Sequence, residues 1–302
     1  MTQSPLNYSG GKYKLLPQLQ PFFPEDINLF VDLFCGGGDV GATAKCKNVL
    51  FNDIDSNVIG ILKTFKELPK EKILRSIFET IEQYNLSLVC KHNYSFYNCD
   101  SQKGLGSFNR KSFLNLRSHF NQMSVRDYNY YLLLYVLVVY SFNNQIRFNR
   151  RGEFNLPVGK RDFNSKMQVK LCNFIDRLKN ISCSFSNSDF RNIDVALLGE
   201  NDFVYADPPY LITCATYNEQ GGWNENLERA LYDYLDKLNS RNIRFALSNV
   251  LTSKGKTNFI LQKWLAANSQ YSCHHLNYQY SNSNYHTKDR TSGSDEVLIT
   301  NY

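Results

Sequence analysis

The chain has 302 residues, 42% of them hydrophobic, 14% aromatic and 21% charged, and a formal net charge of +6. That length and apolar content bury a real core, which excludes a disulfide-stapled miniprotein and a mostly disordered chain. The longest apolar run, Tyr130 to Tyr140, spans 11 residues, where a membrane helix needs about 20.

The first ten residues, Met1 to Gly10, carry no basic-then-apolar signal segment, so a soluble cytoplasmic protein with no membrane partner is expected. Ile27 to Phe34 is an apolar run broken by Asp32 and ending in Cys35-Gly-Gly-Gly38, the pattern of a buried strand entering a glycine turn. Asn48 to Asn52 reads as a second strand, and Ser56 as the cap of a helix through Phe65. From about 70 to 140 the pattern is helical, closing with an aromatic helix over Asp127 to Ser141, buried on most sides. Residues 145–160 alternate around Arg151-Gly152 and predict a hairpin. After a helix near 165–180 come short β runs at Ile181–Ser186, Asp202–Ala206 and Ile243–Ser248, the last two separated by a helix from Asn226 to Asn239. His275–Tyr280 and Glu296–Tyr302 close the chain as two strands around a Ser- and Asn-rich loop. Strands alternating with helices predict an α/β fold, a mainly parallel sheet with helices on both faces. The 8 cysteines are scattered, with no Cys-x-x-Cys and no zinc-finger spacing, so they read as reduced core residues and no metal is expected.

Two motifs carry chemistry. Asp32-Leu-Phe34-Cys-Gly36-Gly-Gly38 follows a buried strand, where glycines let the backbone approach a ligand. Asp53 stands 21 residues after Asp32, at the end of the next strand, which suits the hydroxyls of a nucleoside ribose. Asp207-Pro208-Pro209-Tyr210 follows the strand Asp202–Ala206. Its two prolines make a rigid turn that presents a carboxylate, carbonyls and an aromatic face. Such a set suits a planar amino-heterocycle, with Asp207 and the Pro208 carbonyl accepting from an exocyclic amine and Tyr210 stacking on the ring. Residues 147–170 hold seven basic and two acidic side chains, +5 of the chain's +6, interleaved with Phe148, Phe154 and Phe163. Basic residues among aromatics suit phosphate contacts with base readout or wedging. His274, His275, Trp223 and Trp264 take structural readings.

These motifs together resemble the Dam/DpnM-like N6-adenine DNA methyltransferases, in the order of the α group of amino-methyltransferases. The resemblance extends to Tyr8-Ser-Gly-Gly-Lys12 (the family has Trp where Tyr8 stands), Asn52-Asp53-Ile54, Ser188-Asp189-Phe190, and Phe142-Asn143 through Arg147 to Pro157. It implies S-adenosylmethionine as cofactor, held by Tyr8, Lys12, Asp32, Phe34, Gly36, Gly38, Asp53, Ile54, Asp189 and Phe190. It implies catalysis by Asp207, Pro208, Pro209 and Tyr210, and contacts to double-stranded DNA from Phe142, Asn143, Arg147, Asn149, Arg150, Arg151, Pro157 and Lys160. The implied fold is a Rossmann-like methyltransferase sheet over 1–65 and 165–302, with an inserted helical recognition domain over 66–164 whose hairpin covers about 145–160. The implied activity is transfer of a methyl group to a flipped adenine, in GATC, either solitary or beside a cognate restriction endonuclease, in a prokaryotic or phage-infected cell. Three other readings stand beside it. The same chemistry on N4 of cytosine or another amine is disfavoured by Asp at 207. A silent DNA-binding module would lack the intact motifs, and a nicotinamide oxidoreductase leaves residues 207–210 unexplained.

Overall fold

The computed structural model describes residues 1–8, 10–213, 222–277 and 293–302. Its helices are α1 (Leu16–Leu19), α2 (Asp39–Thr43), α3 (Ser56–Glu67), α4 (Lys70–Gln83), α5 (Gly106–Gln122), α6 (Tyr128–Tyr140), α7 (Ser165–Asn180), α8 (Glu225–Ser240) and α9 (Phe259–Ala267). Its strands are β1 (Leu29–Asp32), β2 (Asn48–Asn52), β3 (Ser182–Ser186), β4 (Phe203–Ala206), β5 (Arg244–Ser253), β6 (Lys256–Thr257), β7 (Ser272–Leu276) and β8 (Asp295–Thr300). The chain divides into two compact units. One is helical and comprises Met1–Tyr13, Gly36–Thr43 and Asp55–Ser182; the other is built on the sheet and comprises Lys14–Cys35, Ala44–Ile54 and Cys183–Tyr302. These bodies cut the chain at points other than the expected boundaries at 65 and 165, because Met1–Tyr13, Gly36–Thr43, α3 and α7 count with the helical unit. None of the helices among the described residues is long and apolar enough to cross a membrane.

In the sheet unit the strand order is β3-β2-β1-β4-β5-β8-β7, with β6 paired to β5. β1, β2, β4 and β5 run parallel, whereas β8 is antiparallel to both β5 and β7. The order 3-2-1-4-5 is that of a doubly wound Rossmann-type sheet, and the reversed hairpin at the edge makes it mixed. Successive side chains alternate faces. On one side Val31, Val204, Phe245, Leu247, Val297 and Ile299 form a core with Leu231, Leu235 and Leu238 of α8 and Leu261 and Trp264 of α9. On the other side the Phe23 ring, just past α1, packs on Phe30, Phe203 and Tyr205. Helix α9 was not foreseen from the sequence, because its nine residues have little polar face to show a period.

In the helical unit α6 is apolar all round and packs against α3, α4 and α5. Gly60 of α3 is required there: a Cβ would lie 2.0 Å from the Tyr131 ring of α6. Asp and Asn side chains cap the main helices of both units. Asp127 accepts from Tyr130 N, Asn164 from Met167 N, Asn224 from Asn226 and Leu227 N, and Asn258 from Leu261 N. Each such cap contributes about 1 kcal/mol. At α3 the cap is Asp55, accepting from Asn57 N, and not Ser56, which is the first helical residue and accepts from Arg126.

The segment 145–160 is a looser hairpin than its alternation predicts. It turns back through Asn149–Gly152, but its pairing reduces to isolated bridges, Phe148 with Phe154 and Ser141 with Val158. Side chains of α5 take the backbone groups that a ladder would use. Asn121 bonds both Phe154 N and Phe154 O, and Arg117 donates to Leu156 O. The predicted end of the His275–Tyr280 strand and most of the following polar loop fall on 278–292, outside the described residues.

Candidate active site

Three acidic residues stand at the carboxyl ends of three neighbouring parallel strands: Asp32 ends β1, Asp53 follows β2 and Asp207 follows β4. Open α/β sheets place their ligands there, where the strand order reverses. Asp32 is 1% exposed and Asp53 7%. Burial, and then the charges of Asp53 and Asp32, push the Cys35 thiol well above its ordinary range, which disfavours the thiolate.

Side-chain amides knit the loops at these strand ends. The buried Asn52 donates to Leu33 O at 3.0 Å and to Ser188 O at 3.1 Å. Asn187 donates to Asp53 O at 2.8 Å and Ile54 O at 3.0 Å, and Asp53 N donates to Ser186 O. Phe34, Asp53, Ile54, Asp189 and Phe190 are thus carried by loops tied to one another, and the Phe34 and Phe190 rings lie 5.4 Å apart. Ile54 leaves 73% of its surface open. The Asp189 carboxylate is gripped by Arg191 through Nε at 2.8 Å and Nη2 at 2.7 Å, which lowers its pKa. Trp223 completes the cluster, stacking edge-on against Phe34 at 5.6 Å and tilted against Phe190 at 5.9 Å.

Trp223 is fixed from behind by Glu228, which sequence reasoning missed. The Glu228 carboxylate, fully buried on α8, accepts from Trp223 Nε1, Tyr232 OH, Asn249 Nδ2 and Asn258 Nδ2. A first-turn glutamate ordinarily faces solvent, so the sequence carried no signal for this role.

The turn after β4 leaves Pro208 buried, Asp207 and Tyr210 half-buried and Pro209 exposed. Tyr210 OH lies 3.1 Å from Asp207 Oδ1 and 2.9 Å from Glu296 Oε1 of β8. Within the strand, Tyr205 pairs its hydroxyl with Ser248 Oγ, and burial together with the Asp207 charge raises its pKa far up.

The remaining implied cofactor residues belong to the helical unit. Gly36 has φ +46°, and a Cβ on it would meet the Tyr8 ring at 2.7 Å. Glycine there admits the close approach of an aromatic at position 8. Gly38 also has positive φ, and its carbonyl accepts from Ala42 N to open α2. Lys12 is buried, with Nζ 3.0 Å from Gly10 O. Asp39, another residue not foreseen, accepts from Ser4 N at 2.7 Å, and burial raises its pKa.

The residues implied for DNA contact lie along one stretch of this unit. Asn143 and Asn144 both have positive φ (58° and 52°), a strained pair that Asn7 and the α6 carbonyls stabilise. Asn7 donates to Asn143 O, and Asn144 Nδ2 donates to Val138 O and Val139 O. The turn leaves Phe142 52% exposed. Strain of this kind, overdetermined by neighbours, clusters at functional sites. Arg147 reaches across the hairpin to Asn155 Oδ1 at 2.8 Å and stays exposed. Asn149 shapes the turn, accepting from Arg151 N and Glu153 N. Arg150, Arg151, Pro157 and Lys160 are exposed, and the Pro157 carbonyl accepts from Phe142 N. The histidines keep structural roles: His274 stacks on Phe22, and His275 pairs with Asp295.

The sheet unit is thus a doubly wound α/β sheet with an Asp-Pro-Pro-Tyr turn at the carboxyl end of β4. The model of the D12 class N6 adenine-specific DNA methyltransferases matches residues 8–282, and the chain belongs to that family. The chain is 40% identical over 306 residues to the modification methylase StsI of Streptococcus sanguinis, covering 99% of this chain and 43% of that protein. It is also 40% identical to the type II methyltransferase M.FokI of Planomicrobium okeanokoites, with the same two coverages. It therefore spans under half the length of these two relatives. The DNA adenine methylase of Salmonella typhi shares 26% identity over 213 residues, 70% of this chain and 66% of that one. Among solved structures, the rRNA methyltransferase aviRa from Streptomyces viridochromogenes covers 97% of this chain and 86% of its own, with TM-score 0.39 and 12% identity.

Proposed function

We propose that the chain methylates N6 of an adenine flipped out of double-stranded DNA, using S-adenosylmethionine, with GATC as the target site. The observation that carries this reading is the Asp207 turn at the carboxyl end of β4, beside the strand ends that bear Asp32 and Asp53. Family membership supports it. The donor set fits the cofactor: a buried carboxylate at Asp53 for a ribose diol, Asp189 for an exocyclic amine, and Phe34, Ile54 and Phe190 for a purine face. Asp32, Tyr8, Lys12, Gly36 and Gly38 are assigned to the same ligand on the resemblance. When bound, S-adenosylmethionine supplies an electrophilic methyl group on sulfur.

The chain's own groups make the amine reactive. An exocyclic amine is a poor nucleophile because its lone pair is delocalised into the ring. Asp207 and the Pro208 carbonyl accept its two N–H bonds and stabilise positive charge as the nitrogen becomes tetrahedral. Pro209 fixes the turn, and Tyr210 offers its ring to the base. Flipping the base costs a few kcal/mol. The exposed Phe142 at its turn, with Asn143, Asn149 and Pro157 shaping the hairpin and Arg147, Arg150, Arg151 and Lys160 along it, would offset that cost.

We assign residues 66–164 to target recognition and 1–65 with 165–302 to catalysis. The setting proposed is the cytoplasm of a bacterial or phage-infected cell, where the enzyme acts alone or beside a cognate endonuclease. The names of the modification-methylase relatives support the latter. The test is incubation with unmethylated plasmid and tritiated S-adenosylmethionine, followed by sequencing for modified bases. N6-methyladenine confined to one short site supports the reading, and N4-methylcytosine or no transfer rejects it.

A further inference from the structure

The Tyr210 hydroxyl stands between two carboxylates. Asp207 Oδ1 is 3.1 Å away and Glu296 Oε1 is 2.9 Å away. A phenol carries one proton and donates it to one acceptor at full strength. The two acceptors are mounted differently. Glu296 is 1% exposed in β8, in register with Val250 of β5 on one side and Leu276 of β7 on the other. Asp207 is half-buried in the turn after β4. A hydroxyl bonded to Asp207 competes with any amine that needs the same oxygens.

We infer that Glu296 is a positioning residue, which accepts the Tyr210 hydroxyl and so draws it away from the Asp207 carboxylate that the target amine needs. The inference rests on the proposed role of Asp207. It gives a role to a carboxylate that is only 1% exposed within β8. It also gives the tyrosine of the Asp-Pro-Pro-Tyr turn a second contact that orients its ring.

The test is a double-mutant cycle under single-turnover methylation, with full-length protein and an unmethylated duplex. Glu296→Ala is expected to slow methylation about 10- to 100-fold, as misplacement of one catalytic contact does, with S-adenosylmethionine and DNA affinities within about twofold. In a Tyr210→Phe background, where no hydroxyl can fall on Asp207, the same substitution is expected to cost less than about threefold. Glu296→Gln, which keeps an oxygen acceptor of the same reach, is expected to recover most of what alanine loses. Equal losses in both backgrounds, or a glutamine variant as slow as alanine, would overturn the inference and leave Glu296 a packing residue. An Asp207→Ala enzyme of near-normal rate would instead overturn the reading beneath it.

Discussion

The acids at the strand ends of the sheet unit and the basic stretch of the helical unit are handled in opposite ways. In the sheet unit four acids are withdrawn from water, Asp32, Asp53, Glu228 and Glu296 all being under 9% exposed, with Asp207 half-buried beside them, and Glu228 accepts from four side chains. In the helical unit the basic stretch is turned outward, with Arg147, Arg150, Arg151 and Lys160 exposed. Buried, hydrogen-bonded carboxylates are held before any ligand arrives, so they suit a reaction that depends on placement. Exposed arginines and lysines interact through a screened field that salt weakens. On the proposed function, the first arrangement serves chemistry and the second capture of a polyanion.

If this contrast holds, substitutions in the two units fail in different assays. The largest effect is expected for Glu228→Ala, which strands the Trp223, Tyr232, Asn249 and Asn258 donors in the core. A loss of about 3–5 kcal/mol in unfolding free energy is expected from breaking such a network, read by urea denaturation. A change below about 1 kcal/mol would show that the network is not what holds α8 on the sheet. Next, Asp53→Ala is expected to weaken S-adenosylmethionine binding by about 1.5–3 kcal/mol through lost charge-assisted hydrogen bonds, with DNA affinity unchanged. Calorimetry of both ligands checks this, and the reverse pattern breaks the assignment.

Arg147 and Arg151 test the helical unit against itself. Arg147→Ala is expected to cost about 1–3 kcal/mol on GATC and to relax discrimination at one guanine, if the guanidinium leaves Asn155 for the base edge. Arg151→Ala is expected to weaken all sequences alike and lower the salt slope by about one unit. Methylation of GATC and its single-base variants at one stated salt concentration separates the two. A uniform loss with Arg147→Ala would reassign it as a phosphate contact.

The smallest effect concerns the Asp189–Arg191 pair. Arg191 lowers the Asp189 pKa, so the pair contributes stability above the unfolded carboxyl value of about 3.9. That contribution is lost as pH falls through the lower folded value. Arg191→Ala is therefore expected to differ from the parent in urea midpoint at pH 7 and to converge with it near pH 2. A difference that persists at pH 2 would place the role of Arg191 elsewhere.

What the sequence disclosed follows the same divide. The parallel strands were legible because buried strands read as continuous apolar runs, and Asn48–Asn52 and the helix Ser165–Asn180 fall where the pattern puts them. Asp207–Tyr210 and Asp53 were legible because each sits where a strand must end. Glu228 and Asp39 were not, since a polar residue looks the same whether its partners are water or distant loops. Glu296 could be read only as the start of a strand, because its contact with Tyr210 spans 86 residues. The loosened hairpin escaped detection for a related reason: the Asn121 and Arg117 side chains that displace its ladder come from another helix.

The most direct test of the central claim is single-turnover methylation by Asp207→Ala, measured alongside calorimetric binding of S-adenosylmethionine. The account predicts a rate lowered by about 10²–10⁴ with cofactor affinity and folding intact. A variant that methylates adenine at a near-normal rate would contradict it.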